Sequence, residues 1–158
     1  MTFSDKKYFM RKINEIAYRC PEVYKMQSYT QHGNTTTFEH CLHVSYLAYK
    51  MAIDHHYKVD IDSLIRGSFL HDFYLYDWHA KDNNEHRWHG FTHPEIARKT
   101  AKFYFEDLSL KEQSMIRTHM WPFTLLHLPL SKEAFILCVI DKCCSTYETF
   151  HRKNKEKI

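Results

Sequence analysis

The run Gly67-Ser68-Phe69-Leu70-His71-Asp72 sets an imidazole and a carboxylate side by side at the end of an apolar, helix-periodic stretch. Asp60 and Asp62 stand upstream, where a helix start favours negative charge. At helical spacing Leu64, Ser68, His71/Asp72 and Leu75 share one side, with Ile61 and Ile65 beside them, so the spacing predicts a core-facing helix through the dipeptide. A buried carboxylate without a partner is costly. Any fold of this chain must therefore bring something to Asp72. A His–Asp hydrogen bond in a core is the ordinary solution for one such pair, whereas a divalent cation satisfies both groups at once.

Other segments carry residues of the same kind. Ser4-Asp5 can cap a first helix with Phe9, Ile13, Ile16 and Ala17 in register, ending near Cys20-Pro21, with a helical turn from Pro21 to Gln27. Ser28 to Thr37 is polar, contains Gly33-Asn34 and reads as a loop. Phe38 to Ala52 is strongly periodic, with His40, Val44, Leu47/Ala48 and Met51 on its apolar stripe. From Tyr74 to Phe91 aromatic and polar residues mix without a clean period, over a length unusual for a plain connection. That stretch reads as a lid or one wall of a pocket, with simple packing on the core as the alternative.

His93-Pro94-Glu95 opens the next predicted helix, with Pro94 in its first turn. Its inner stripe is Ile96/Ala97, Thr100/Ala101 and Tyr104, and His93 continues that line. Ser109 and Glu112 form a capping box for a helix whose inner face, Glu112/Met115/Ile116, ends at His119 before Trp121-Pro122. After a Pro-punctuated loop, Ser131 caps a last helix to about Phe150, where Asp141 follows an apolar run over 135–140. The expected fold class is all-α, a bundle of about six helices in a single domain over residues 1–158.

Composition supports this. Three glycines and four prolines leave little room for the turns of an all-β fold. With 44% hydrophobic and 26% charged residues, the chain reads as soluble and globular. The net charge of +3 fits an anionic small molecule, but much of it lies in the tail His151 to Lys157, and no basic stripe or reading module points to nucleic acid. Cysteines 20, 41, 138, 143 and 144 lack zinc-ribbon spacing and read as reduced core thiols of a cytoplasmic protein. No signal-peptide core and no long apolar run predicts secretion or membrane insertion.

The thirteen histidines are the count that matters, because imidazole is the commonest metal ligand. His40, His71, Asp72, His93, His119 and Asp141 occupy core faces of successive predicted helices. Each alone is an ordinary buried polar residue. Together they could hold two divalent ions, one carboxylate bridging, with Fe, Zn, Ni or Cu suited to imidazole and Mn or Mg to carboxylate.

In this order the residues resemble the HD-domain superfamily, whose pattern is H…HD…D on an all-α core. Glu39-His40-Cys41-Leu42-His43-Val44 looks like its first-histidine helix, Phe69-Leu70-His71-Asp72 like its namesake dipeptide, and Ile140-Asp141-Lys142 like its closing aspartate. The likeness spans about residues 36–150, and His93 and His119 resemble the extra histidines of the dinuclear branch, H…HD…H…H…D. The resemblance implies a metal-dependent phosphohydrolase acting on a nucleotide or another small phosphoester, with His71 and Asp72 catalytic. It puts His40, His71, Asp72 and Asp141 around one metal, and Asp72, His93 and His119 around a second. Fe or Mn is the expected pair, with Zn, Ni, Co and Mg also compatible.

One departure stands out. Many hydrolytic members carry Lys or Glu three residues after the HD aspartate, where this chain has Leu75. The grip on phosphate would then fall to Lys142, Lys81, His86, Arg87 or His89. The same ligand order is shared with mixed-valent di-iron oxygenases that resemble myo-inositol oxygenase, and a non-catalytic metal or ligand sensor is a third reading.

Overall fold

The structure, a computed structural model, describes residues 1–79 and 88–151. Its elements are α1 (Phe3–Arg19), a 3-10 helix (Pro21–Ser28), strands β1 (Thr30–His32) and β2 (Thr35–Thr36), then α2 (Thr37–Asp54), α3 (Ile61–Phe69), α4 (His89–Tyr104), α5 (Leu110–Thr118) and α6 (Lys132–His151). The all-α expectation holds, with one small antiparallel hairpin added. Among the described residues no helix is long and apolar enough to cross a membrane.

Helix α2 is the axis of the packing. It starts at a capping box, in which Thr36 accepts from the Glu39 N–H while the Glu39 carboxylate accepts from the Thr36 N–H. Its buried face, His40, Cys41, Val44, Ser45, Ala48, Tyr49 and Ala52, lies between α3 and α6. Small residues there let the neighbours approach, and Ser45 donates to the Ile65 carbonyl of α3 at 2.9 Å. One apolar cluster fills the space between α1, α2, α3 and α4 around Phe9, Phe69, Phe73 and Phe105, and a second joins α2 to α6 through Val44, Ala48, Leu137 and Cys144. Burying each large side chain of this kind contributes about 1.5–3 kcal/mol.

Four local expectations are corrected. The N-cap of α1 is Thr2, which forms a capping box with Asp5, so Ser4-Asp5 sits inside the first turn. The polar stretch 28–37 is not a plain loop: β1 and β2 pair across it, with Gly33 at φ 62° making the turn. Helix α4 starts four residues earlier than predicted, so Pro94 lies inside it, where its missing N–H leaves only the Gly90 carbonyl without its usual partner.

The fourth correction concerns the HD dipeptide. Helix α3 stops at Phe69, with Leu70 as C-cap, and His71-Asp72 lies in the turn beyond it. Residues 67 to 74 are all buried. A helix packed on one side cannot bury eight consecutive side chains, because its 3.6-residue period returns some of them to solvent. The chain instead turns through the core, closed by Phe73 N–H to Leu70 O and Tyr74 N–H to Asp72 O, and leaves through Leu75 at φ 57°. A left-handed leucine is strained by about 1–2 kcal/mol, which the surrounding packing must offset.

Candidate metal centre

Five elements deliver six side chains to one point. His40 comes from the inner face of α2, His71 and Asp72 from the turn after α3, His93 from α4, His119 from the C-cap of α5, and Asp141 from the middle of α6. All six are buried, the most exposed being Asp141 at 5%. The spacing of the apolar stripes placed each of them on a core face, and the tertiary packing brings all of them together.

The imidazoles share one orientation logic. His71, His93 and His119 donate Nδ1–H to the carbonyls of Ser68, His89 and Ile116, each at 2.7 Å. A carbonyl can only accept, so Nδ1 carries a proton and Nε2 points inward, offering its lone pair whenever the ring is neutral. His40 is the exception in partner but not in direction, with Nδ1 on the Glu148 carboxylate at 2.8 Å. Backbone and carboxylate partners of this type are what orient metal-ligating histidines.

Asp72 lies between two imidazole pairs. Its Oδ2 is 3.3 Å from His71 Nε2 and 3.9 Å from His40 Nε2, while its Oδ1 is 3.3 Å from His93 Nε2 and 3.6 Å from His119 Nε2. Asp141 Oδ1 adds to the first pair, 3.2 Å from His40 Nε2 and 3.6 Å from His71 Nε2. Three overlapping trios could each hold a metal ion: His40-His71-Asp72, His71-His119-Asp141 and Asp72-His93-His119. The donor set fits such ions, because His71 Nε2 and Asp72 Oδ1 are fully buried with no hydrogen-bond partner.

Charge in the metal-free cluster is balanced by protons. Burial works against a charge on His40, but its hydrogen bonds with Asp141 and Glu148 win and push its pKa up to about 10. Burial likewise opposes protonation of His71, and the Asp72 charge beside it outweighs that and raises it. Asp72 and Asp141 are held well below the carboxylate range against burial, Asp72 by the charge and hydrogen bond of His71, Asp141 by hydrogen bonds from His40 and His71. For His119 burial prevails and pushes it down to about 3.

Two contributors escaped the sequence reading. Glu148 lies seven residues after Asp141, two helical turns along the same face, a spacing that would have found it. Gln31, on β1, donates to Asp72 Oδ2 at 2.6 Å and had no signal in a stretch read as loop.

The expected phosphate-gripping residues separate. Lys142 lies beside the cluster, donating to the His119 carbonyl at 2.6 Å with its Nζ 3.4 Å from Asp141 Oδ2. His89 is stacked between Trp78 (ring centroids 4.9 Å apart) and His93 (4.6 Å) and meets the Tyr76 hydroxyl through Nδ1 at 2.8 Å. Trp78 and Tyr76 thus form the wall next to the His93 side of the cluster. Lys81, His86 and Arg87 lie outside the described residues.

Compared with known proteins, the family model described as HD domain matches residues 37–146, a range that takes in all six clustered side chains. No curated protein and no solved structure matches the chain.

Proposed function

The chain belongs to the HD-domain family, and from that premise we propose that it is a metal-dependent phosphohydrolase of a nucleotide or another small phosphoester, working with two divalent ions. Members of the family bind divalent metals and are commonly phosphohydrolases. The observation that carries the reading is Asp72, whose two oxygens face two different imidazole pairs across a buried space. In this reading His40, His71, Asp141 and Asp72 would hold one ion, and His93, His119 and Asp72 would hold the other. The chemistry such ions would supply is an acidified water and an offset to the charge of a phosphoryl group.

The residues themselves do the positioning. Three main-chain carbonyls and Glu148 aim the four imidazoles at the cluster. Ionised Asp72 and Asp141 set the site's net charge. Lys142, already beside Asp141, brings the one ammonium seen at the cluster among the described residues, and the Trp78–His89 stack walls the His93 side of the cluster.

The test is hydrolysis of a panel of phosphomonoesters, diesters and nucleoside phosphates, with Mn, Fe, Co, Ni and Mg supplied in turn. Asp72→Asn keeps the shape but removes the shared negative charge, and turnover should fall at least ~10²-fold while the helical signal persists. A second reading, a mixed-valent di-iron oxygenase, is favoured by Leu75, which puts an apolar, half-buried side chain packed on the core where many hydrolases carry Lys or Glu. A chain inert on the whole panel, whose reduced iron form consumes oxygen with a polyol or phosphonate, would replace the first reading by the second.

A further inference from the structure

Gln31 has no role in the ligand pattern, yet it makes the shortest contact to the central carboxylate. The hairpin that carries it is tied to α2 by Thr37 N–H to Tyr29 O at 2.8 Å, with Thr30 opposite Thr36. Gln31 is buried, and its Nε2–H donates to Asp72 Oδ2 at 2.6 Å. Its Oε1 accepts from the Tyr74 hydroxyl and, at 3.3 Å, from the Thr37 hydroxyl. This fixes which way the amide points. Turned over, it would set Oε1 against a carboxylate oxygen.

The oxygen it holds is the one facing His40 and His71, while Asp72 Oδ1, facing His93 and His119, has no hydrogen-bond partner. We propose that Gln31 is the positioning residue of the Asp72 bridge: clamped by Tyr74 and Thr37, its amide stops the carboxylate from rotating, so that one oxygen serves each imidazole pair. Without the clamp the Asp72 carboxylate could turn, and the His93–His119 pair would lose the Asp72 oxygen that faces it. The hairpin is thereby part of the site, and its length and turn set where the amide lies. The proposal rests on the two-ion reading above.

The experiment is calorimetric titration of the metal-free full chain with Mn(II), with electron paramagnetic resonance to detect spin coupling between the two ions. Wild type should take up two equivalents and show coupling. Gln31→Leu, with an unchanged helical circular dichroism spectrum, should weaken one of the two steps by ~10–100-fold, leave the other close to wild type, and lose the coupling. Tyr74→Phe leaves Gln31 in place but removes one of the two hydroxyl donors that brace its amide, so the same step should weaken by less. That variant decides the matter if Gln31→Leu does not fold. Two unchanged steps with coupling intact in a folded variant, or equal weakening of both steps, overturns the proposal. A wild type that takes up one equivalent removes the two-ion reading and this proposal together, whereas two equivalents with unchanged variants remove this proposal alone.

Discussion

The Nε2 atoms of His93 and His119 face each other across 2.9 Å, and both rings have already committed their Nδ1–H groups to main-chain carbonyls. Two neutral imidazoles so held point lone pair at lone pair. A cation shared by the two nitrogens would relieve the contact, and the pair would suit a divalent ion. His93→Ala should therefore lower the bound divalent metal from two ions per chain to one, measured by elemental analysis after reconstitution. The melting temperature of the metal-loaded protein should drop by more than that of the metal-free protein. Unchanged stoichiometry would count against a second ion at this pair.

The two halves of the centre should differ in proton release. In the metal-free protein His40, pushed up to about 10, is protonated at neutral pH, and that proton stabilises the fold fully below about pH 6.5 and progressively less as pH climbs through about 10. Metal binding beside His40 must expel it, so affinity there should rise with pH across the neutral range. His119, pushed down to about 3, already offers its lone pair. Calorimetry in two buffers of different ionisation enthalpy should find more protons released with the equivalent that binds beside His40 and His71, both raised, than with the other.

Glu148 is the only carboxylate among the four Nδ1 partners. Glu148→Gln keeps an acceptor oxygen but removes the charge, so His40 becomes a weaker base and a weaker ligand. Metal affinity measured by chelator competition should fall ~10-fold or more, with little change in folded structure. Equal affinities would mean that the charge does not reach the site.

Away from the centre, Arg66 joins α3 to α5 through two hydrogen bonds of 2.7 Å to the buried carboxylate of Glu112. Arg66→Met leaves that carboxylate without its cation, and unfolding in urea should show a loss of about 3 kcal/mol. Pairing the substitution with Glu112→Gln should recover part of the loss, because the stranded charge goes with it.

Much of this fold was legible one segment at a time. The capping box Ser109–Glu112 and the Ser131 cap are found where local chemistry placed them, with Ala134 N–H on Ser131 Oγ at 3.1 Å. The stripes that put His40, His93 and Asp141 inward are likewise local, because a 3.6-residue period needs no knowledge of what the helix packs on. Periodicity misled at His71-Asp72, where an apolar run wholly inside the core gives no sign of where its helix ends. It also misled at Pro94, whose preference for a first turn yielded to a helix already begun at His89.

By itself the sequence determined which six side chains would turn inward, in what order, and on an all-α frame, since residue type, period and capping are properties of neighbours along the chain. Only the tertiary structure decided that Asp72 offers one oxygen to each imidazole pair, that Gln31 holds it from 41 residues away, and that Glu148 reaches His40 across 108. Those relationships depend on how helices and a hairpin distant in sequence settle against each other, and the direction of a buried carboxylate is set by whatever packing brings within hydrogen-bonding distance.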